Sequence, residues 1–175
     1  MIDIGALANH PNLIQKPNVN TVVSTLTQLN TLSSGITELT VPSTSLNDAS
    51  LTVLDLTRLR RLKKIVIGEA CFMYVNEVKL IGLSKLESVE IGMNSFTKSK
   101  STSSITSVWN RHFYLKDCPK LKSLKMGRYS FSDYTVIEIE NVDALGVIVM
   151  GELNKESFNF AYASLELKSI LIHRE

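Results

Sequence analysis

The sequence predicts a mainly β solenoid built from parallel sheets, and three observations carry that reading. One phrase recurs at Leu62–Gly68, Leu86–Gly92, Leu121–Gly127 and Leu145–Gly151, each copy opening on Leu and closing on Gly. A phenylalanine follows at matched distance: Phe72, Phe96, Phe131 and, after a small slip, Phe158. The glycines lie 24, 35 and 24 residues apart, so 35 is one 24-residue coil plus an 11-residue insertion. A fixed period in this range marks a chain whose every turn buries its apolar side only against the next turn.

Each coil holds two extended stretches. The first is the apolar-x-apolar-Gly phrase, with Ile65/Ile67, Val89/Ile91, Leu124/Met126 and Ile148/Met150 expected to point inward. The second lies about eleven residues earlier, at Leu54-Asp55-Leu56, Val78-Lys79-Leu80, Phe113-Tyr114-Leu115, Ile137-Glu138-Ile139 and Leu165-Glu166-Leu167. Both alternate at period two, the pattern of a half-buried strand. Between them recur Leu59, Leu83, Cys118 and Val142, then Leu62, Leu86, Leu121 and Leu145, which fill the bend. The glycines suit a turn of positive φ or a close backbone approach. A phosphate cradle needs a Gly-rich loop opening a helix, whereas here the glycines come one per coil. The phenylalanines share a phase and are expected to stack along the axis as core.

The earlier chain fits less closely. Leu39-Thr40-Val41-Pro42 reads as a degenerate copy in which Pro42 replaces the Gly, which suits an edge position. Leu26, Leu29, Leu32 and Val22 have helical spacing, which leaves open a short N-terminal capping helix or a worn repeat. Residues 1–35 are therefore read as an irregular or capping segment, with Pro11 and Pro17 in its irregular part, and 36–175 as the solenoid with an inserted loop at 97–110.

Composition bounds the function classes. A 44% apolar fraction with 21% charged residues is that of one globular domain in 175 residues. Net charge +2 does not demand a nucleic acid or an acidic membrane. Two cysteines are no disulfide framework, and no bridge is expected between Cys71 and Cys118, two coils apart. There is no apolar run of membrane-spanning length, no basic N-terminal leader and no Asn-x-Ser/Thr acceptor. An intracellular location is slightly favoured on these grounds, with a cell-surface place in a longer protein as the alternative.

The coil pattern L-x-x-I-x-I-G-x-x-S-F-x-x-x-x-x-h-x-L-x-x-L, with h apolar, resembles the leucine-rich repeat superfamily. Within it the BspA-like class is most similar, over about residues 36–175. The resemblance implies a right-handed solenoid used for protein recognition or adhesion, with no catalytic residues to carry over. It departs from common leucine-rich repeats at their asparagine position, which here holds Ala70, Asn94, Tyr129 and Leu153. A continuous asparagine ladder is therefore not expected.

Residues of equal phase are lateral neighbours about 4.8 Å apart. Lys63, Glu87 and Lys122 alternate in sign, as do Lys116, Glu140 and Lys168; Asp55 faces Lys79, Glu90 faces Lys125 and Arg128 faces Glu152. Such faces neutralise themselves, which argues against a nucleic-acid groove. The run Arg58–Lys64 carries five cations in seven residues and reads as a solvated bend, the alternative being an anion-binding patch for phosphate, acidic lipid or acidic protein. The insertion, rich in Ser, Thr and Lys, is expected to be the most exposed internal segment. Trp109 within it either packs beside Phe113 or Tyr114 or serves as a contact residue.

His10, His112 and His173 fall in unrelated places, and no metal-ligand spacing or nucleophile motif occurs. The reading is a non-catalytic protein-binding module without cofactor or metal, whose partner is a protein, with no nucleic acid and no membrane insertion. Its contact residues are Val66, Glu90, Met93, Lys125, Arg128, Val149 and Trp109. The alternative is a scaffold or adhesin segment of a longer array. At the C-terminal side Leu165, Leu167 and Ile170 take the phases of Ile137, Ile139 and Val142, and His173 stands where a leucine is due. An open edge and self-association through it are expected there.

Overall fold

A computed structural model describes residues 20–98 and 110–168. Trp109, most of the 97–110 insertion, residues 1–19, Ile170 and His173 lie outside the described residues.

The chain is mainly β, with two parallel sheets and one short helix among the described residues. Sheet A has six strands in the order β1 (Asn20–Val22), β2 (Glu38–Val41), β4 (Lys64–Ile67), β6 (Ser88–Ile91), β8 (Ser123–Met126) and β10 (Val147–Met150). Sheet B has five, β3 (Val53–Asp55), β5 (Glu77–Ile81), β7 (His112–Lys116), β9 (Val136–Glu140) and β11 (Ser164–Lys168). From β2 onward consecutive strands alternate between the sheets, so each 24-residue unit places one strand in each. Period-two alternation decides which side chains meet. Ile65, Val89 and Leu124 are in register and buried between the sheets, and so are Val78, Phe113 and Ile137.

The last pair of strands departs from this. Ile148 and Met150 line a cavity of about 200 Å³ with Leu124, Met126, Leu165 and Leu167, so they do face the space between the sheets. They are nevertheless 42% and 51% exposed, and Leu165 and Leu167 are 55% and 60% exposed. Inward direction buries a side chain only when a further rung covers it, and no described rung follows β10 and β11.

The phenylalanine stack forms. Phe72 and Phe96 lie 4.8 Å apart with rings 7° from parallel, and Phe96 and Phe131 lie 4.7 Å apart at 4°. Its fourth member is Phe160, 5.0 Å from Phe131 at 12°, and not Phe158, which is exposed and pairs with Tyr129. Five extra residues between Gly151 and the ring position shift the phase. The Ser157-Phe158 pair imitates the repeat, while Asn159-Phe160 occupies its place. Phe72, Phe96 and Phe131 all have φ between 56° and 59°, a costly backbone for a bulky residue. Burying the ring in the stack offsets that cost.

The residue before each ring builds a second ladder. Ser95 Oγ donates to the Gly68 carbonyl at 2.8 Å, Ser130 Oγ to Gly92 at 2.7 Å, and Asn159 Nδ2 to Gly127 at 2.7 Å. Cys71 Sγ reaches the Pro42 carbonyl at 3.1 Å in the same way. The serines also accept from the preceding backbone, Ser95 from Cys71 N and Ser130 from Ser95 N. These side chains satisfy turn carbonyls that are buried away from water. The position two residues after each repeated glycine does different work. Ala70, Asn94 and Tyr129 sit there at φ of 52°, 61° and 62°, and in the last coil Asn154 takes the left-handed place in Leu153's stead.

The repeated glycines answer to close approach rather than to positive φ. A Cβ on Gly92 would lie 2.6 Å from the Gly68 carbonyl carbon, and one on Gly127 would lie 2.5 Å from Met93 N. Of the four, only Gly151 has a left-handed φ, +74°.

At the N-terminal side, strand β1 lies beyond the degenerate copy in sheet A. Pro42 is consequently not on an edge strand: β2 lies between β1 and β4, and Pro42 falls just past the end of its ladder, where the missing N–H breaks no strand bond. Helix α1 (Leu26–Asn30) is capped by Thr25, which accepts from Gln28 N while the Gln28 side chain accepts from Thr25 N. Leu29 and Leu32 bury into the same core as Ile36 and Leu39. Val23, not Val22, joins them, because Val22 is on the outer side of β1.

Candidate functional site

Strand register gathers four of the residues nominated from sequence into one row. Val66 is the lateral partner of Glu90, Glu90 of Lys125, and Lys125 of Val149, all on the outer face of sheet A. Glu90, Lys125 and Val149 are exposed and Val66 is half-buried. The row is mixed in character, apolar at its two ends and oppositely charged in the middle. Met93 and Arg128 share a phase just beyond strands β6 and β8 and are half-buried. Arg128 is less available than its position suggests, since Nε donates to the Glu156 carbonyl at 2.8 Å and the guanidinium lies over the Tyr129 ring at 5.1 Å. Trp109, the seventh nominee, lies outside the described residues.

The lateral charge pairs are in register but do not all bond. Lys116 meets Glu140 across strands at 3.4 Å and also Glu138. Lys79 lies opposite Asp55 but bonds Glu77 on its own strand at 3.2 Å. Burial pushes the Asp55 carboxyl up, yet Thr57 hydrogen bonds and the nearby Lys79 and Arg58 charges hold it below its ordinary value. Glu152 takes Lys155 as its ion-pair partner in place of Arg128, whose charge adds only a lesser share to lowering the Glu152 carboxyl. A longer side chain two or three positions away on the same strand or turn reaches a carboxylate as readily as a lateral neighbour does.

Sheet B carries a polar cluster that the sequence reading did not single out. Tyr114 OH lies 2.7 Å from His112 Nδ1, and His112 Nε2 lies 2.6 Å from Asn110 Oδ1. Burial, with Glu138 and Glu77 nearby, raises the Tyr114 phenol. The His-x-Tyr spacing on an alternating strand was the available signal, since period two places both rings on one face.

The cysteines are free, fully buried and without a bridge. Burial pushes the Cys118 thiol up to about 11, as its place in the row of Leu83 leads one to expect. Among the described residues no group of three or more His, Cys, Asp or Glu could hold a metal ion, and no helix is long and apolar enough to cross a membrane. No protein-family model matches the chain, and no curated protein or solved structure matches it.

Proposed function

We propose that the chain is a leucine-rich-repeat protein of the BspA-like class, a right-handed solenoid that binds a protein partner without catalysing a reaction. The observation that carries this reading is the in-register row Val66–Glu90–Lys125–Val149 on sheet A. A flat sheet face with apolar residues flanking a charge pair offers an interface of ordinary composition. The alternation of strands between two sheets, the stacked phenylalanines and the one-per-coil glycines support the repeat class.

A photo-crosslinking residue placed at Glu90 or Lys125 is expected to trap one protein from cells of the source organism. The same residue at Lys79 or Glu138 on sheet B is expected to trap none. Capture should fall when Val66 and Val149 become Glu. Equal capture from both faces, or none, would discard sheet A as the binding surface.

The exposed apolar rung of β10 and β11 favours a second reading, that the chain is a segment of a longer stack. Further repeats, or a second copy of the chain, would cover Ile148, Met150, Leu165 and Leu167. Light scattering should then show concentration-dependent association that Ile148→Lys with Leu167→Lys abolishes. A monomer at high concentration would remove the second copy from consideration.

A further inference from the structure

The bends that lead from sheet B into sheet A collect unpaired cations on one ridge. Each bend is a turn closed between buried residues: Leu62 N donates to the Leu59 carbonyl, Leu86 N to Leu83, and Leu121 N to Cys118. The two central residues of each turn therefore point to solvent: Arg60 and Arg61, Ser84 and Lys85, Pro119 and Lys120. The next position is also exposed and is knitted laterally, with Glu87 N donating to the Lys63 carbonyl and Lys122 N to the Glu87 carbonyl. Three consecutive turns thus place Arg60, Arg61, Lys63, Lys85, Lys120 and Lys122 on one strip with Glu87, and the next turn, closed from Leu145 N to the Val142 carbonyl, adds the acid Asp143. Neighbouring turns are about 4.8 Å apart, the spacing of bonded strands.

Several cations elsewhere on the molecule are neutralised by carboxylates. Lys79, Lys116, Lys155, Lys168 and Arg111 each make an ion pair, whereas none of the six ridge cations makes one among the described residues. Arg58 leaves the cluster altogether, because its guanidinium donates to the Leu32 and Leu29 carbonyls and closes the end of helix α1. Arg60 Nη1 is bonded to the Gly82 carbonyl, which holds that charge across two turns. The sequence shows only the run Arg58–Lys64. The stacking of coils adds Lys85, Lys120 and Lys122 to it.

We propose that this ridge binds the surface of an anionic lipid bilayer. All six cations are exposed on the outer side of closed turns, where a planar anionic surface can approach them. Clustered Lys and Arg of this number are attracted to acidic headgroups by about 1 kcal/mol each. Among the described residues the strip carries no exposed aromatic ring on which bases could stack. Binding of this kind rests on headgroups alone and inserts nothing into the hydrocarbon.

The test is cosedimentation of the full chain with phosphatidylcholine vesicles, with and without phosphatidylserine. Binding is expected only with phosphatidylserine present, and it should weaken as salt is raised. Arg61→Glu, Lys85→Glu and Lys120→Glu together should reduce binding roughly tenfold or more, given the contribution of each cation. Lys98→Glu, Lys155→Glu and Lys168→Glu together change the net charge equally but lie off the ridge, and they should leave most of the binding in place. The neutral triple Arg61→Gln, Lys85→Gln, Lys120→Gln serves if the first variant does not melt like the wild type. Equal loss from both charge-reversed triples would reduce the effect to net charge and overturn the site. No binding to phosphatidylserine vesicles would overturn it too, as would ridge-dependent binding confined to RNA or to polyglutamate.

Discussion

Asp133 accepts Arg111 Nη1 at 2.9 Å on one carboxylate oxygen and the Lys98 backbone N–H at 3.0 Å on the other. Lys98 and Arg111 bracket residues 99–110, so one carboxylate ties the chain at both ends of that segment. Arg111 is 2% exposed, its Nη2 donates to the Met73 carbonyl at 3.1 Å, and its guanidinium stands 5.6 Å from the Tyr134 ring. Removing the carboxylate would strand a buried charge. Asp133→Ala is expected to lower unfolding stability by about 3–5 kcal/mol, as for other broken buried pairs. Urea melts of Arg111→Met, Asp133→Ala and the double variant test this. The double variant should lose clearly less than the sum of the two single losses; additive losses would mean that the pair is not coupled.

The phenylalanine stack makes a second prediction. Phe96 is fully buried between Phe72 and Phe131. Phe96→Ala should cost about 3–5 kcal/mol, the range for emptying a large core site. Phe158→Ala, at an exposed ring outside the stack, should cost far less. Similar losses at both positions would contradict the assignment of Phe160 as the fourth stacked ring.

Two glycines, one at the repeated phase and one off it, should behave oppositely. A Cβ on Gly92 meets backbone atoms of Gly68 and Glu69 at 2.6–2.7 Å, whereas a Cβ on Gly146 meets nothing within 4 Å. Gly92→Ala should therefore cost at least about 1–3 kcal/mol through forced backbone displacement. Gly146→Ala should be neutral or stabilise by about 0.4–1 kcal/mol, because it restricts the unfolded chain. Thermal melts of the two variants provide the comparison.

Alkaline pH should weaken the fold through its thiols. Burial raises Cys118 from its ordinary value of 9.0 to about 11, and raises Cys71 in the same direction. Above pH 9 the unfolded chain has lost thiol protons that the folded chain keeps. The unfolded state then binds fewer protons, so stability declines as pH rises from 9 towards 11. Cys118→Ala should flatten that decline in denaturant melts. Neither thiol should react with iodoacetamide in the folded protein at neutral pH.

Strand positions and the facing of most side chains were legible because both depend on local periodicity. The 24-residue spacing set which residues became neighbours: Glu90 opposite Lys125 and Lys116 opposite Glu140 follow from counting alone. The last coil was misread for an equally local reason. Ser157-Phe158 satisfies the motif, but only packing on Phe131 shows that the chain runs two residues further before the ring turns inward. The candidate face was legible as a row of phases, whereas the tethering of Arg128 to the Glu156 carbonyl depends on where a loop folds back.

The sequence by itself determined the repeat unit, the two extended stretches in each unit, the buried rows and the phenylalanine phase, because each follows from apolar spacing along the chain. Tertiary structure alone decided why Gly68, Gly92 and Gly127 are there, since their constraint is backbone from the adjacent coil and not their own φ. It also decided which cations are neutralised. Lys79 and Lys116 find carboxylates on sheet B, while Arg61, Lys85 and Lys120 come together on one ridge and make no ion pair among the described residues. Ion pairing depends on distance in space, and stacking brings together turns that are 24 to 35 residues apart in the chain.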